Sequence, residues 1–220
     1  MHNRDICYAV DDSSYGALIM EALIMAGGKG TRMCRNGVEK PFIDVAGKHV
    51  IEHVINALKK AQCVDRILVS VSPNTKRTGE FLETADGVEV IWTSGEDYVE
   101  DLHKAYEMMD GDYVFSTPSD LPLLKSFTVD NFIKAFQKDP HDSFLAVVEE
   151  EVVVNTGIVP SFAFELDGSR WVLSGFTIMN RRKILDGECP QDYYFKTDWV
   201  DLAINVNTMY ELQLARSYFD

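Results

Sequence analysis

Residues 22–33 of the chain read ALIMAGGKGTRM, in which a short apolar run passes directly into three glycines within four residues. The apolar part, Ala22 to Ala26, has the length and composition of a strand that is buried on both faces. Glycines at positions 27, 28 and 30 let the backbone turn sharply and bring its N–H groups against a phosphate chain. The stretch therefore predicts a buried first strand that leads into an anion-binding loop.

Two better-known phosphate loops do not match this stretch. A P-loop has Ser or Thr after Gly-Lys, and neither Gly28-Lys29 nor Gly47-Lys48 is followed by one. A dinucleotide-binding fingerprint has its third glycine where Met33 stands. By itself, the glycine segment is equally consistent with a tight turn between a strand and a helix.

Apolar patterns beyond the glycine segment alternate between helices and strands. Helices are predicted over residues 48–61, 75–85, 93–109 (with Thr93-Ser94 as the N-cap), 128–138 and 208–218, and further strands over residues 66–72, 87–92, 112–116, 143–148 and 171–180. This alternation predicts a three-layer α/β domain, in which a mostly parallel, Rossmann-like sheet is covered by helices on both faces. We assign residues 20–220 to this domain and residues 1–19 to an N-terminal extension.

Composition and charge restrict the possible partners. Among 220 residues, 21 Lys+Arg against 35 Asp+Glu give a net charge of 21 − 35 = −14, a field that repels nucleic acid. The four cysteines are scattered and form no disulfide framework, and no apolar stretch near the start is long enough to span a membrane. These features predict a cytoplasmic protein that does not bind nucleic acid and has no membrane span.

Charged and amide side chains follow several of the predicted strands. Arg32 and Lys40 supply cations beside the glycine segment. Asp120 follows the strand at 112–116, at the strand end that faces the cleft of such folds, and Mg²⁺ prefers one or two carboxylates together with phosphate oxygens. An isolated Asp in this position is also a common turn residue. Asn207 or Thr208 could cap the last helix, which would give Asn207 a structural role.

A possible zinc-binding motif lies on the first predicted helix. The stretch His49-Val-Ile-Glu-His53 matches H-x-x-E-H, in which two histidines four residues apart can chelate zinc. No third ligand stands in a matching context, and the stretch lies on an amphipathic helix. We therefore interpret it as a solvated helix face.

The string at 22–33, followed by Glu39-Lys40-Pro41, resembles the signature of nucleotidyltransferases that act on sugar phosphates and on the molybdenum cofactor. The resemblance implies a nucleotide-diphospho-sugar transferase fold. It also implies that Arg32 and Lys40 neutralise the triphosphate, and that Asp120 and Asn207 hold a Mg²⁺ cofactor. The residues that the resemblance assigns to nucleotide binding are Ala26, Gly27, Gly28, Lys29, Gly30, Thr31, Ser94 and Gly95.

Longer strings narrow the resemblance. They are VSVSPNT at 69–75, TSGEDYVEDL at 93–102, VLSGF at 172–176 and INVNT at 204–208. Together they are similar to the archaeal GTP:adenosylcobinamide-phosphate guanylyltransferases, which implies GTP and adenosylcobinamide phosphate as substrates and Gly175 and Asn205 as acceptor-binding residues. A sister enzyme acting on a sugar phosphate or on molybdopterin, and a non-catalytic nucleotide sensor, remain alternatives. The sequence leaves open whether the chain forms a homodimer.

Overall fold

The computed structural model describes residues 19–30 and 38–219. The predicted N-terminal extension therefore lies outside the described residues except for Ile19, and so do Thr31 and Arg32 of the glycine segment. Within the described ranges, no helix combines the length and the apolar character that crossing a bilayer requires.

The elements follow the predicted alternation, with several additional short ones. The strands are β1 (Met20–Met25), β2 (Asp44–Val45), β3 (Lys48–His49), β4 (Val64–Val71), β5 (Glu89–Trp92), β6 (Tyr113–Pro118), β7 (Ser143–Glu149), β8 (Phe164–Leu166), β9 (Ser169–Asn180) and β10 (Asp192–Thr197). The α-helices are α1 (Val50–Lys60), α2 (Lys76–Leu82), α3 (Tyr98–Glu107), α4 (Ser126–Lys138), α5 (Glu150–Asn155), α6 (Arg181–Leu185), α7 (Val200–Ala203) and α8 (Met209–Ser217). Two short 3-10 helices span Lys40–Phe42 and Pro73–Thr75.

The main sheet has the order β10-β7-β9-β6-β1-β4-β5, with β8 paired to β9. Strand β1 lies parallel to both of its neighbours, β4 and β6, and the pairs β4–β5 and β7–β10 are parallel as well. Strand β9 runs antiparallel to β6, β7 and β8. The prediction of a mostly parallel sheet is confirmed, and β9 is the strand that departs from it.

The burial of β1 explains why its residues from Ala22 to Met25 are all apolar. Successive residues of a strand point to opposite faces. Ala22 and Ile24 are fully buried in the core on the face that carries α1 and α4, whereas Leu23 is fully buried against Leu102 and Tyr106 of α3 on the other face. The central strand is thus covered on both sides, which is the three-layer arrangement that the sequence predicts.

The helix caps differ in part from those predicted. The predicted N-cap of α3 at Thr93-Ser94 is wrong. Asp97 caps this helix, because its side chain accepts hydrogen bonds from the backbone N–H groups of the first turn. Thr93 is buried, and its hydroxyl donates to a β4 carbonyl. Of the two candidates for α8, Thr208 is the cap and acts through its hydroxyl. The side chain of the other candidate, Asn207, accepts a hydrogen bond from Lys40.

Candidate active site

A cleft of about 740 Å³ opens where β1 and β6 end, at the edge of the sheet where α/β folds bind ligands. This volume lies within the range of small-molecule sites. The lining comes from segments that are far apart in the chain. The predicted site residues that line it are Ala26, Gly27, Gly28, Lys29, Gly30, Lys40, Gly95, Asp120, Gly175 and Asn207.

The glycine segment is held by the end of the neighbouring strand β4. The backbone N–H of Ala26 donates to the Ser70 carbonyl over 2.8 Å, and the Ser72 hydroxyl donates to the Gly27 carbonyl over 2.7 Å. The Asn74 side-chain amide donates to the Gly95 carbonyl over 3.1 Å. The segment after β4 therefore ties the glycine loop to the loop that follows β5.

Gly95 occupies a position that only glycine fits. Its φ is +69°, and a Cβ there would lie 2.4 Å from both the Ser72 hydroxyl oxygen and the Asn74 amide nitrogen. The Asp101 carboxylate on α3 is 7% exposed and accepts hydrogen bonds of 2.9 Å from the N–H groups of Ser94 and Gly95. The Ser94 hydroxyl also donates to Asp101, and Ser94 does not line the cleft, so its nucleotide contact stays a prediction.

Lys40 is fixed in place by its neighbour Glu39. The Glu39 carboxylate accepts from the N–H groups of Arg77 and Thr78, over 2.8 and 2.7 Å, and from the Thr78 hydroxyl over 2.6 Å. Pro41 on the other side is buried in the 3-10 turn. The Glu-Lys-Pro sequence thus anchors the backbone on both sides of the lysine, so that its side chain reaches into the cleft.

The Lys40 ammonium group lies between the two predicted metal ligands. It donates to the Asp120 Oδ2 atom and, over 2.6 Å, to the Asn207 Oδ1 atom. Both acceptors are almost fully buried, and the Val206 N–H donates to the Asp120 carbonyl over 3.0 Å, which joins the two segments. The second carboxylate oxygen of Asp120 is buried and has no hydrogen-bond partner among the described residues.

These oxygens fit a Mg²⁺ ion that is shared with a nucleotide. A buried carboxylate oxygen with no partner in the described ranges is costly unless a cation or a donor meets it. Mg²⁺ takes oxygen ligands and is usually bound by one or two carboxylates plus phosphates and water. Asp120 and the amide oxygen of Asn207 offer this set, and no cluster of three or more acidic, His or Cys side chains forms a metal cage within the described ranges.

Gly175 and Asn205, the predicted acceptor-binding residues, lie in two different cavities. Gly175 lines the cleft with φ +84°, and a Cβ there would lie 2.9 Å from the ring of Pro118. Packing against Pro118 is therefore enough to require glycine at this position, without any contact to a ligand. Asn205 does not line the cleft. It lines a second cavity, of about 250 Å³, that adjoins the cleft at Asn207.

The two histidines of the H-x-x-E-H motif serve structural roles. The ring of His49 stacks on Phe42 with centroids 3.7 Å apart, and its backbone N–H donates to Glu52 in a capping box at the start of α1. His53 Nε2 lies 2.8 Å from the Val45 carbonyl. Both are half-buried, so our interpretation of this stretch as a solvated face is wrong, and the contacts give the motif a packing role instead.

The sequence matches the MobA-like NTP transferase domain over residues 22–173. The chain belongs to this nucleotidyltransferase family. The matched region of this MobA-like transferase contains the glycine segment, Lys40, Gly95 and Asp120, whereas Gly175 and Asn207 lie beyond it.

Two relatives of this MobA-like transferase are guanylyltransferases by name. It is 34% identical over 208 residues to adenosylcobinamide-phosphate guanylyltransferase of Methanocaldococcus jannaschii, a match that covers 89% of this chain and 95% of that protein. It is 29% identical over 134 residues to the molybdenum cofactor guanylyltransferase of Shewanella baltica, covering 60% of this chain and 63% of that protein. The resemblance identified from the sequence strings is confirmed.

Solved structures place this MobA-like transferase in the expected fold. The 4-diphosphocytidyl-2C-methyl-D-erythritol synthase of Anaerococcus prevotii superposes with a TM-score of 0.65 at 12% identity, covering 92% of this chain and 96% of that one. A CMP:2-keto-3-deoxy-manno-octonic acid synthetase complexed with CTP gives 0.64 at 13% identity, covering 91% and 98%. At these identities the likeness shows the fold alone, and the predicted fold class is confirmed.

Two residues that shape the site were missed by sequence reasoning. Asp101 lies on the inward face of α3 together with Leu102 and Ala105, where a carboxylate is exceptional unless it is hydrogen-bonded. The helical periodicity of the sequence places Asp101 on this buried face, and that pattern could have identified it as a structurally important residue. Glu39 gives no comparable signal, because its partners at the start of α2 lie 38 and 39 residues further along the chain.

Proposed function

We propose that this MobA-like transferase moves GMP from GTP to adenosylcobinamide phosphate, releasing adenosylcobinamide-GDP and pyrophosphate. The acceptor and the base come from the 34% identical relative, which this chain matches over 95% of that protein's length. The observation that carries the proposal is the convergence of the glycine segment, Lys40, Asp120 and Asn207 on one cleft. This convergence brings backbone donors, a cation and the two proposed metal ligands to the same small volume.

The reaction requires positioning and charge neutralisation more than a strong base. A phosphate oxygen of the acceptor attacks the α-phosphorus of GTP in line, the bond from that phosphorus to the bridging oxygen breaks, and pyrophosphate leaves. A phosphate monoester is already nucleophilic, so no general base is needed. Backbone N–H groups of residues 27–30 are proposed to bind the triphosphate, and Lys40 to neutralise the charge that builds up during transfer.

Asp120 and Asn207 are the proposed ligands of the Mg²⁺ cofactor. When bound, the ion would neutralise the leaving pyrophosphate and orient the α-phosphate. In this structure the Lys40 ammonium donates hydrogen bonds to the same two side chains. We propose that Lys40 moves from these oxygens to the triphosphate when metal and nucleotide enter, because each cation then meets an anionic partner.

The direct test is transfer of label from GTP that carries radioactive phosphorus at the α position. With Mg²⁺ and adenosylcobinamide phosphate, the label should appear in the corrinoid product, and Asp120→Asn should reduce it strongly, while Asp110→Asn, an exposed control, should not. Parallel reactions contain molybdopterin or a sugar phosphate. Label transfer to one of these acceptors alone would contradict the proposed acceptor, and nucleotide binding without transfer to any acceptor would contradict an enzymatic role.

A further inference from the structure

A third cavity, of about 530 Å³, lies apart from the cleft and from the cavity that Asn205 lines. It shares no lining residue with either of them. Its volume is within the range of sites that bind small molecules. We call it the lysine cavity, because Lys48, Lys60 and Lys125 all line it.

One wall of the lysine cavity is a single stripe of helix α1. The lining residues His53, Asn56, Ala57 and Lys60 are three or four positions apart, so they share one face of this helix. The helix rises by about 10 Å from His53 to Lys60, at about 1.5 Å per residue. A stripe of this length can contact a planar ring at one end of a ligand and a short phosphate chain at the other.

The three lysines of the cavity form no ion pair within the described ranges, and the Nζ atom of Lys125 lies 5.7 Å from the centre of the Phe127 ring. Carboxylates are plentiful in a chain with a net charge of −14. Basic residues elsewhere that do pair with one are Lys40, Arg66, Lys76, Arg170, Arg182, Lys183 and Lys196. Unpaired cations that gather around one cavity create a local positive potential, which favours an anionic ligand.

The position of Lys125 is not explained by the stability of helix α4. Lys125 is the N-cap residue, its side chain makes no capping hydrogen bond, and the first turn contains no acidic residue. A cation at this end of a helix opposes the helix dipole. Asp201 is the one acid among the described residues that line the cavity, and its Oδ2 atom already accepts from the Lys125 N–H over 3.2 Å and from the Thr128 hydroxyl over 2.6 Å.

Two aromatic rings also line the cavity. Tyr218 and Phe219 are 48 and 43% exposed, and the ring of His53 lies 5.0 Å from that of Phe219. Exposed aromatic faces stack on the planar rings of ligands, and nucleic-acid bases are bound in this way beside cationic side chains. A phosphate ion alone would use the lysines and leave these rings in water.

We infer that the lysine cavity is a second ligand site, which binds a nucleoside diphosphate or triphosphate with its phosphates on the lysines and its base against Tyr218 and Phe219. The site does not depend on the proposed transfer reaction, because the lysine cavity and the cleft have no residue in common.

The test measures binding of radioactive ADP to the full chain by equilibrium dialysis in EDTA, so that no metal ion assists binding in the cleft. Lys60→Gln combined with Lys125→Gln should raise the Kd of one ADP site by roughly tenfold or more, as expected for loss of two charge-assisted contacts. The matched control is Lys104→Gln combined with Lys138→Gln, which removes the same charge at exposed positions outside the three cavities and should leave this Kd unchanged.

A third variant tests the contact with the base. Phe219→Ser should raise the Kd of this site for ADP by about fivefold or more, since a stacking partner is lost. Inorganic pyrophosphate has no ring, so its Kd, measured by competition with ADP, should stay the same in Phe219→Ser and should rise in the Lys60/Lys125 variant.

Three results would overturn the inference. They are an absence of ADP binding to the wild type, an ADP isotherm that the Lys60/Lys125 variant leaves unchanged, and an equal change in the Lys104/Lys138 control. Equal affinity for ADP and pyrophosphate, with no effect of Phe219→Ser, would overturn a nucleotide as the ligand. Each of these results leaves the guanylyl transfer reaction standing, because that reaction is measured separately with labelled GTP.

Discussion

Replacing Lys40 by Met separates its role as a cation in the cleft from its role in folding. The Lys40 and Asp120 side chains are 17 and 9% exposed, and the ammonium is the only hydrogen-bond partner of the Asp120 carboxylate that the structure gives within the described residues. Breaking a buried ion pair from one side costs about 3–5 kcal/mol, and the residual exposure of Lys40 favours the lower end. At about 2–4 °C per kcal/mol for a chain of this size, Lys40→Met should lower the Tm by roughly 6–12 °C.

Magnesium should reverse much of this loss, even without nucleotide. In the wild type the Lys40 ammonium already pairs with Oδ2 of Asp120 and Oδ1 of Asn207 and repels a second cation, so Mg²⁺ alone should change the Tm little. In Lys40→Met the same oxygens have no cation, and Mg²⁺ binding to the native state should raise the Tm. The assay is thermal unfolding followed by circular dichroism, in EDTA and in excess Mg²⁺, with Lys48→Met at an exposed position as the control.

Turnover should remain low when stability is restored. Loss of one preorganised charge contact costs about 2.7–4 kcal/mol in the transition state, which is roughly a hundred- to a thousandfold in rate. Arg32→Ala, outside the described residues, should give a loss of the same order if its predicted role holds. A Lys40→Met protein that melts like the wild type, gains no Tm from Mg²⁺ beyond that of Lys48→Met and transfers guanylyl groups at the normal rate would refute the reasoning.

Three further substitutions test other parts of the site and fold. Asp101→Ala removes the carboxylate that holds the loop after β5 and should raise the KM for GTP by about tenfold or more, whereas Glu100→Ala on the exposed side of α3 should not; initial-rate kinetics will distinguish them. Gly175→Ala forces a side chain into positive φ and against a proline ring, which should cost about 1–3 kcal/mol in urea unfolding and lower kcat. Burial acts to raise the pKa of Glu21, but hydrogen bonds from two backbone N–H groups and a guanidinium outweigh it, so the pKa lies below the usual 4.5. Glu21→Gln should therefore lower the free energy of unfolding by about 1.5–3 kcal/mol at neutral pH. The difference from the wild type should shrink as the pH falls below 4.5, because protonation of Glu21 then removes the same stabilisation from the wild type. Glu89→Gln, at a more exposed position, should cost under about 1 kcal/mol, and a difference for Glu21→Gln that stays constant across pH would contradict the assignment.

The sequence predicts the parallel half of the fold well, because burial leaves a strong pattern there. The run Ala22–Ala26 is apolar since β1 is covered on both faces, and α1 carries an amphipathic stripe against it. The second half is harder to predict. Asp167-Gly168 forms the two-residue turn between β8 and β9, with positive φ at both positions. An Asp-Gly pair is typical of such a hairpin turn, but the apolar pattern used to predict helices and strands does not detect it.

Motifs identify the residue types of the site but not how they pair. Lys40, Asp120 and Asn207 are each predicted to contact the ligand or its metal, yet their mutual hydrogen bonds span 80 and 167 positions of the chain. No local pattern encodes such a contact, because it depends on how the sheet brings strand ends together. For the same reason the sequence favours Asn207 as a helix cap, whereas tertiary structure turns its side chain toward Lys40.

The most direct test of the account is a crystal structure of the chain with Mg²⁺ and a GTP analogue that cannot be cleaved between the α- and β-phosphates. We predict that the triphosphate lies against the N–H groups of residues 27–30, that the ion contacts Asp120, and that the Lys40 ammonium has moved from Asp120 to a phosphate oxygen. A triphosphate bound outside this cleft, with the Lys40–Asp120 pair unchanged, would contradict the central claim.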